Sequence, residues 1–205
     1  MTETYETRSI AVRELRAEGD GADTKIRGYA ALYNVLSDDL GGFREQIATG
    51  AFTRAAKEDD VRALVNHDPS LIIGRTKAGT LTLRDDDTGL WFELTPPDTQ
   101  VGRDIVTSIR RGDIDQMSFG FRVAPGGDQW MWANGTALRT VKDVELFDIS
   151  PVTYPAYPQT SVSARSQVDA LKKANGQAAG GTEQSDVQAL ARRQMLMRLE
   201  IAKRS

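Results

Sequence analysis

Cysteine is absent from this sequence, and histidine occurs once among its 205 residues. Without cysteine, the chain has no disulfide, no thiolate nucleophile and no thiolate metal site. A single histidine also excludes a zinc site with several imidazole ligands. Two possibilities remain: an imidazole that acts as acid and base for a serine or threonine hydroxyl, or a histidine with no catalytic role. We expect neither a metal nor an organic cofactor.

Long hydrophobic runs and a strong net charge are missing as well. No apolar stretch approaches the roughly 20 residues that cross a bilayer as a helix, and residues 1–6 lack the basic and apolar parts of a secretory signal. The net charge is −3, which gives no reason to expect nucleic acid as the main partner. The composition therefore predicts a soluble, cytoplasmic protein that binds neither membranes nor nucleic acid.

Alternating hydrophobic and polar residues dominate the sequence up to about residue 162. A period of two is typical of half-buried strands. Because strands outnumber helices and do not alternate with them, a parallel doubly wound sheet is disfavoured. The pattern predicts an α+β, mostly β fold: an antiparallel barrel or sandwich flanked by a few helices. Strands are predicted at residues 9–15, 25–33, 81–84, 90–94, 114–123 and 142–150.

Two helices interrupt these strands. The first is predicted over residues 51–57. The second begins near Asp98 or Thr99, which are good N-cap residues, carries apolar residues at i, i+4 and i+8, and ends at Gly112. Trp130 and Trp132 are assigned to a turn.

The composition changes after residue 165. Residues 166–182 include an Ala/Gly-rich stretch that predicts a flexible linker, and residues 183–205 contain helix formers that predict a C-terminal helical tail. Residues 1–165 are therefore predicted to form one folded domain. The tail is interpreted either as a frayed end or as a partner-binding or targeting segment.

His67 follows a short apolar run and is the only candidate for a histidine base. A lone histidine at a strand end is often structural, so a catalytic role requires a partner hydroxyl. Ser118 stands out among the serines because it is a small polar residue between Met117 and Phe119. Gly120 removes a side chain two residues along on the same strand face, which leaves room for a peptide substrate to approach.

A histidine base also needs a carboxylate that holds its tautomer. Asp148 lies between two large apolar residues, and a charge in such surroundings needs a partner if it is buried. Asp68 adjoins His67, but neighbouring residues on an extended chain point to opposite faces. Asp143 and Glu145 share the predicted strand with Asp148 and stay open as alternatives.

Several simple motifs are absent. No Gly-x-Ser-x-Gly elbow surrounds any serine, which disfavours an α/β-hydrolase. The chain also lacks a Walker-type phosphate loop, a dinucleotide-binding fingerprint and the His-Glu-x-x-His motif of zinc proteases.

Five segments in order along the chain carry a resemblance that spans about residues 8–162. They are Phe43–Ile47 with Gly50–Phe52, Val65–Pro69 with Ile73–Arg75, Gly89–Glu93 with Asp104–Arg111, Gly112–Phe121, and Val144–Pro158. Together they resemble the prohead maturation proteases of tailed bacteriophages, a family distantly similar to the herpesvirus assemblins.

The resemblance implies an assemblin-like β-barrel and a serine endopeptidase. It implies His67 as general base, Ser118 as nucleophile and Asp148 as the acidic third member. Assemblins use a second histidine in that third position, which this chain lacks, and many relatives have glutamate there. Arg122 or Arg75 is considered as an aid to the oxyanion.

The implied biology is proteolysis inside an assembling capsid shell in the host cytoplasm. The substrates would be scaffolding protein or a scaffold-like part of the major capsid protein, and the protease itself, whose tail would be trimmed. A homo-oligomer is also considered. Two other functions stay open: a catalytically idle capsid assembly or scaffolding factor with a protease-like fold, and a β-rich binding module in which His67 is structural.

Overall fold

The structure is a computed structural model, and it describes residues 5–11, 15–133, 135–154 and 162–176. Within these residues the chain forms twelve strands and three α-helices, so the mostly β prediction is confirmed. The strands are β1 (Glu6–Ala11), β2 (Arg16–Glu18), β3 (Lys25–Leu32), β4 (Phe43–Ile47), β5 (Arg62–Val65), β6 (Asp68–Arg75), β7 (Leu81–Asp85), β8 (Gly89–Leu94), β9 (Gln116–Val123), β10 (Asp128–Ala133), β11 (Thr136–Val141) and β12 (Val144–Val152). The helices are α1 (Ala55–Glu58), α2 (Gln100–Arg111) and α3 (Val162–Gly176).

The strands pair into three sheets. Their orders are β1-β9-β12-β5-β6, β2-β3-β8-β7 and β10-β11-β4. Most neighbours are antiparallel, as expected, but β4 pairs with β11 and β5 with β12 in parallel. Parallel pairing requires a long connection, and local alternation does not report such connections. No closed barrel is found among the described residues, so the expected antiparallel barrel is not confirmed.

The main hydrophobic core joins the five-stranded and four-stranded sheets and helices α1 and α2. Strand β9 contributes Met117, Phe119 and Phe121, each at most 1% exposed. Because successive side chains of a strand point to opposite faces, this core packing turns Ser118 and Gly120 toward the other face of the sheet.

Helix α2 forms as the sequence predicts. The Thr99 hydroxyl accepts a hydrogen bond from the N–H of Gly102 at 3.3 Å, and Gly112 ends the helix with φ 79°. The helix predicted over residues 51–57 is shorter: residues 51–54 form turns, and only Ala55–Glu58 are helical. No helix among the described residues has the length and apolarity that a bilayer crossing requires.

A second, smaller core changes two of the sequence predictions. Trp130 and Trp132 lie in β10 and not in a turn, and the Trp130 ring packs on Phe43 with centroids 5.0 Å apart. Residues 166–176, predicted as linker, lie in α3, because Ala164 and Val168 bury their side chains in this core. The tail predicted over residues 183–205 lies outside the described residues.

Candidate active site

Three side chains that the sequence singled out meet on one face of the five-stranded sheet. Ser118 comes from β9, Asp148 from β12, and His67 from the turn between β5 and β6. Strands β9, β12 and β5 are neighbours in the sheet, which brings these distant positions together. His67 Nε2 lies 2.6 Å from Ser118 Oγ, and His67 Nδ1 lies 2.6 Å from Asp148 Oδ1. One imidazole therefore bridges a hydroxyl and a carboxylate.

The turn that carries His67 has an unusual backbone. Its two residues, Asn66 and His67, have φ values of 54° and 58°, as in the two-residue type I′ hairpin. Non-glycine residues occupy this left-handed region at a cost and remain there only when their surroundings hold them. Asn66 supplies that hold, since its Oδ1 accepts from the N–H of Thr153 at 2.9 Å and its N–H donates to the carbonyl of Pro151 at 3.1 Å. The end of β12 thereby fixes the imidazole.

The carboxylate of Asp148 is buried, with 3% of the residue exposed. Burial acts to raise its pKa, but hydrogen bonds from His67, Tyr5 and Ser150 act in the opposite direction, and the pKa of Asp148 lies below its usual value. Its Oδ1 accepts from the Ser150 hydroxyl at 2.8 Å, and its Oδ2 accepts from the Tyr5 hydroxyl at 2.6 Å. Asp148 is therefore an ionised acceptor at neutral pH.

An ionised Asp148 determines which nitrogen of the imidazole carries the proton. A carboxylate only accepts, so neutral His67 donates through Nδ1 and presents the lone pair of Nε2 to Ser118. The Ser118 hydroxyl has a single proton. Its oxygen lies 2.6 Å from His67 Nε2 and 3.0 Å from the carbonyl oxygen of Arg8, so the hydroxyl can donate to either acceptor. The site can therefore pass one proton from a hydroxyl to an imidazole without a metal ion, and no cluster of metal-ligating side chains occurs in the described part of the chain.

The chain is similar in sequence and in fold to known phage proteins. Residues 9–174 match the family described as caudovirus prohead serine protease. The chain belongs to this family. It is 28% identical over 177 residues to the prohead protease of Enterobacteria phage HK97, an alignment that covers 84% of this chain and 73% of that protein. Its fold is similar to that of the bacteriophage T4 capsid assembly protease gp21, with a TM-score of 0.50 and 12% identity over 76% of this chain and 100% of the other.

The sequence of this prohead serine protease family member offers three other candidate carboxylates, and none of them contacts the imidazole. Their partners are different: Asp68 binds Ser70, Glu145 binds Arg122, and Asp143 pairs with Arg54. The two arginines considered for the oxyanion are likewise engaged, Arg122 with the carboxylate of Glu145 at 2.6 Å and Arg75 with that of Asp60 at 2.8 Å. Of the four candidate acids, only Asp148 reaches His67.

The space beside Gly120 is filled by the chain itself. A Cβ atom at this position would overlap the Tyr5 hydroxyl and Oδ2 of Asp148. The prediction that Gly120 leaves room for a peptide substrate is therefore wrong. Its missing side chain allows the hydrogen bond between Tyr5 and Asp148 instead.

Two residues that hold Asp148 were missed from the sequence. Ser150 lies two residues beyond it on the same strand, so strand alternation places both on one face and could have identified it. The Ser150 hydroxyl also accepts from the N–H of His67 at 3.3 Å. Tyr5 reaches the carboxylate from 143 residues away in the chain, and no local pattern reports such a contact.

Proposed function

We propose that this chain is a serine endopeptidase that acts inside the assembling prohead in the host cell. Its substrates are scaffolding protein or the scaffold-like part of the major capsid protein, and the chain itself. Ser118 is the nucleophile, His67 the general base, and Asp148 the group that orients and stabilises the imidazole. The observation that carries the proposal is the pair of 2.6 Å contacts on the two sides of the His67 ring. Membership of a prohead serine protease family supports it.

The reaction follows from these contacts. The Ser118 proton moves to His67 Nε2 as Oγ bonds to the peptide carbonyl carbon, whose oxygen takes up the negative charge. Asp148 stabilises the imidazolium that forms. When the tetrahedral intermediate collapses, the C–N bond breaks and His67 gives its proton to the leaving amine. Water then attacks the acyl-enzyme by the same route, which releases the acid and restores the Ser118 hydroxyl.

The burial of Ser118 sets a condition on this reaction. The residue is 0% exposed, so a peptide carbonyl reaches Oγ only after a local movement of the chain around it. The same observation favours a second candidate function, a catalytically idle capsid assembly or scaffolding factor that keeps the protease fold. An experiment that follows both cleavage and serine reactivity separates the two.

The test uses proheads assembled with the full-length chain and the capsid and scaffolding proteins of the same phage. Intact mass of every product is compared for the wild type, Ser118→Ala, and the control Ser108→Ala, whose serine lies on α2. A fluorophosphonate probe is applied in parallel. We expect Ser118→Ala to lose cleavage and labelling by at least about 1,000-fold, with an unchanged melting temperature. We expect the control to cleave as the wild type does.

Two outcomes would contradict the proposal. Cleavage retained by Ser118→Ala would reject Ser118 as the nucleophile. Intact capsid and scaffolding proteins in wild-type proheads, together with no labelling of Ser118, would favour the idle assembly factor.

A further inference from the structure

The phenol of Tyr5 is attached to the far side of the triad carboxylate. Its hydroxyl donates to Oδ2 of Asp148 at 2.6 Å, while His67 occupies Oδ1. The same hydroxyl lies 3.4 Å from His67 Nδ1. The ring packs near Phe147, with centroids 6.0 Å apart. Tyr5 therefore contacts the group that orients the imidazole but does not contact the nucleophile.

Tyr5 is a hydrogen-bond donor throughout the neutral pH range. Burial and the neighbouring Asp148 carboxylate raise the pKa of the Tyr5 phenol above its usual value. A phenol that keeps its proton can donate to Oδ2 whenever Asp148 is ionised. With Oδ2 held, the carboxylate cannot rotate freely about its last torsion, and Oδ1 stays directed at the imidazole.

The strand that follows Tyr5 is firmly anchored. Strand β1 pairs with β9 along its length and places Thr7 opposite Gly120. Behind β1, Arg8 binds both Glu6 and Glu45, and Arg139 binds the same two carboxylates, at distances of 2.7–3.0 Å. We call these four residues the ion cluster; each is at most 7% exposed (Glu6, Arg8, Glu45 and Arg139). The segment that delivers Tyr5 is thus fixed next to the strand that carries Ser118.

Gly120 completes this arrangement. It lies opposite Asp148 in the pairing of β9 with β12, and a side chain there would overlap both partners of the Tyr5–Asp148 hydrogen bond. The sheet therefore has no side chain at the position where the Tyr5 hydroxyl meets Asp148. Three elements, β1, β9 and β12, combine to make this single contact.

We propose that Tyr5 is a positioning residue of the active site, which holds Oδ2 of Asp148 so that Oδ1 orients His67. The N-terminal segment is then part of the catalytic apparatus and not only an edge strand of the fold. The inference rests on the proposed function, because it assigns Tyr5 to the same triad.

The test removes the hydroxyl alone. Tyr5→Phe keeps the ring and its packing, and Tyr29→Phe is the matched control, because the Tyr29 hydroxyl donates to the carboxylate of Asp86 at 3.0 Å on a different sheet. We expect Tyr5→Phe to lower kcat about 10-fold with little change in KM, since a hydrogen bond to a charged group is lost. We expect Tyr29→Phe to keep the wild-type kcat.

A second measurement does not depend on turnover. The chain has one histidine, so the imidazole signals in a ¹⁵N NMR spectrum belong to His67 alone. We expect Tyr5→Phe to shift the Nδ1–H resonance and Tyr29→Phe to leave it in place. A purely structural role for Tyr5 would lower the melting temperature without moving this resonance.

The outcomes separate this inference from the proposed function. Wild-type kcat and an unshifted imidazole spectrum in Tyr5→Phe, while Ser118→Ala is inactive, would overturn the role of Tyr5 and leave the protease assignment standing. If neither the wild type nor any variant cleaves, but the Nδ1–H resonance of His67 shifts in Tyr5→Phe, the proposed function is contradicted. The positioning of the triad groups by Tyr5 is then still supported.

Discussion

Strand β1 separates two polar clusters that differ in what their protons can do. On one face lies the ion cluster. On the other lies the triad cluster, which consists of Tyr5, His67, Ser118, Asp148 and Ser150. In the ion cluster both cations are guanidinium groups, which keep their protons at every physiological pH and act only as hydrogen-bond donors. In the triad cluster the Ser118 hydroxyl oxygen lies 2.6 Å from an imidazole nitrogen that can accept the hydroxyl proton.

The difference teaches how one strand serves two purposes. Alternation along β1 turns Glu6 and Arg8 to one face, and Tyr5 approaches the other face. Charged side chains anchor the strand, while a neutral phenol contacts the carboxylate that orients the imidazole. We therefore expect changes in the ion cluster to reduce stability first, and changes in the triad cluster to reduce activity first.

The largest effect is expected from breaking the ion cluster. Arg139→Met leaves the carboxylates of Glu6 and Glu45 without one of their two cations. Removing one partner of a buried ion pair costs about 3–5 kcal/mol, because the remaining charge is uncompensated. We expect a loss of that size in the free energy of unfolding, measured with urea at neutral pH. The control Arg110→Met, at a side chain 40% exposed, should cost less than about 1 kcal/mol.

Equal losses in these two variants would show that the ion cluster does not stabilise the fold more than a surface pair does. That result would contradict the expectation that the ion cluster serves mainly to stabilise the fold.

The second effect links the two clusters. Gly120→Ala introduces a Cβ that overlaps the Tyr5 hydroxyl and Oδ2 of Asp148. We expect a loss of about 1–3 kcal/mol in unfolding free energy, as for other overpacked sites, and a loss of kcat in the fraction that stays folded. Gly74→Ala is the steric control, because its Cβ overlaps a Leu94 methyl group away from the triad. This variant should lose stability but keep the kcat of the folded protein. A wild-type kcat in Gly120→Ala would contradict the proposal that the missing side chain of Gly120 serves the hydrogen bond between Tyr5 and Asp148.

The parts of the fold that depend on local signals were predictable. The sequence predicts helix α2 because its N-cap, its apolar spacing and its terminal glycine lie close together in the chain. Ser118 was found because alternation in β9 sends its apolar neighbours into the core. Tyr5, and the parallel pairing of β5 with β12, depend on contacts between distant segments. No window of sequence contains the information that specifies them.

The acidic residues of β12 show most clearly what the sequence cannot predict about the site. Glu145 and Asp148 are three positions apart, so strict alternation would place them on opposite faces. The structure has a register shift between Leu146 and Asp148, which inserts one extra residue in β12. Glu145 then lies opposite Arg122, and Asp148 opposite Gly120. Because Arg122 and Gly120 share the face of β9 that carries Ser118, the shift places both carboxylates on that face. A β-bulge of this kind has no reliable sequence signal, so the sequence does not show that the two carboxylates share a face. Their positions along β12 separate them, since Asp148 contacts His67 whereas Glu145 contacts Arg122.

A smaller effect is expected in the acid range. Because the pKa of Asp148 is lowered in the folded state, the unfolded state binds a proton more readily. The stability that Asp148 contributes is therefore fully present above its unfolded pKa of about 3.9 and is lost as the pH falls further. We expect Asp148→Asn to reduce the slope of unfolding free energy against pH in that range by up to about 1.4 kcal/mol per pH unit. Identical slopes for the two proteins, measured by urea unfolding from pH 5 downward, would show that the carboxylate has no such linkage.

The smallest effect tests the strained turn that carries His67. Asn66→Ala and Asn66→Gly both remove the hydrogen bond to the N–H of Thr153, but only alanine keeps the cost of a positive φ. We expect Asn66→Ala to lose about 1 kcal/mol more than Asn66→Gly in unfolding free energy. Both should lower kcat, because either change removes the side-chain contact with Thr153 and leaves the turn held to β12 by two backbone N–H groups, those of Asn66 and His67. The imidazole is then less firmly held between Ser118 and Asp148. If Asn66→Gly retained the wild-type kcat, the tether would be irrelevant to His67, and the three contacts on its ring and backbone would be sufficient to hold it.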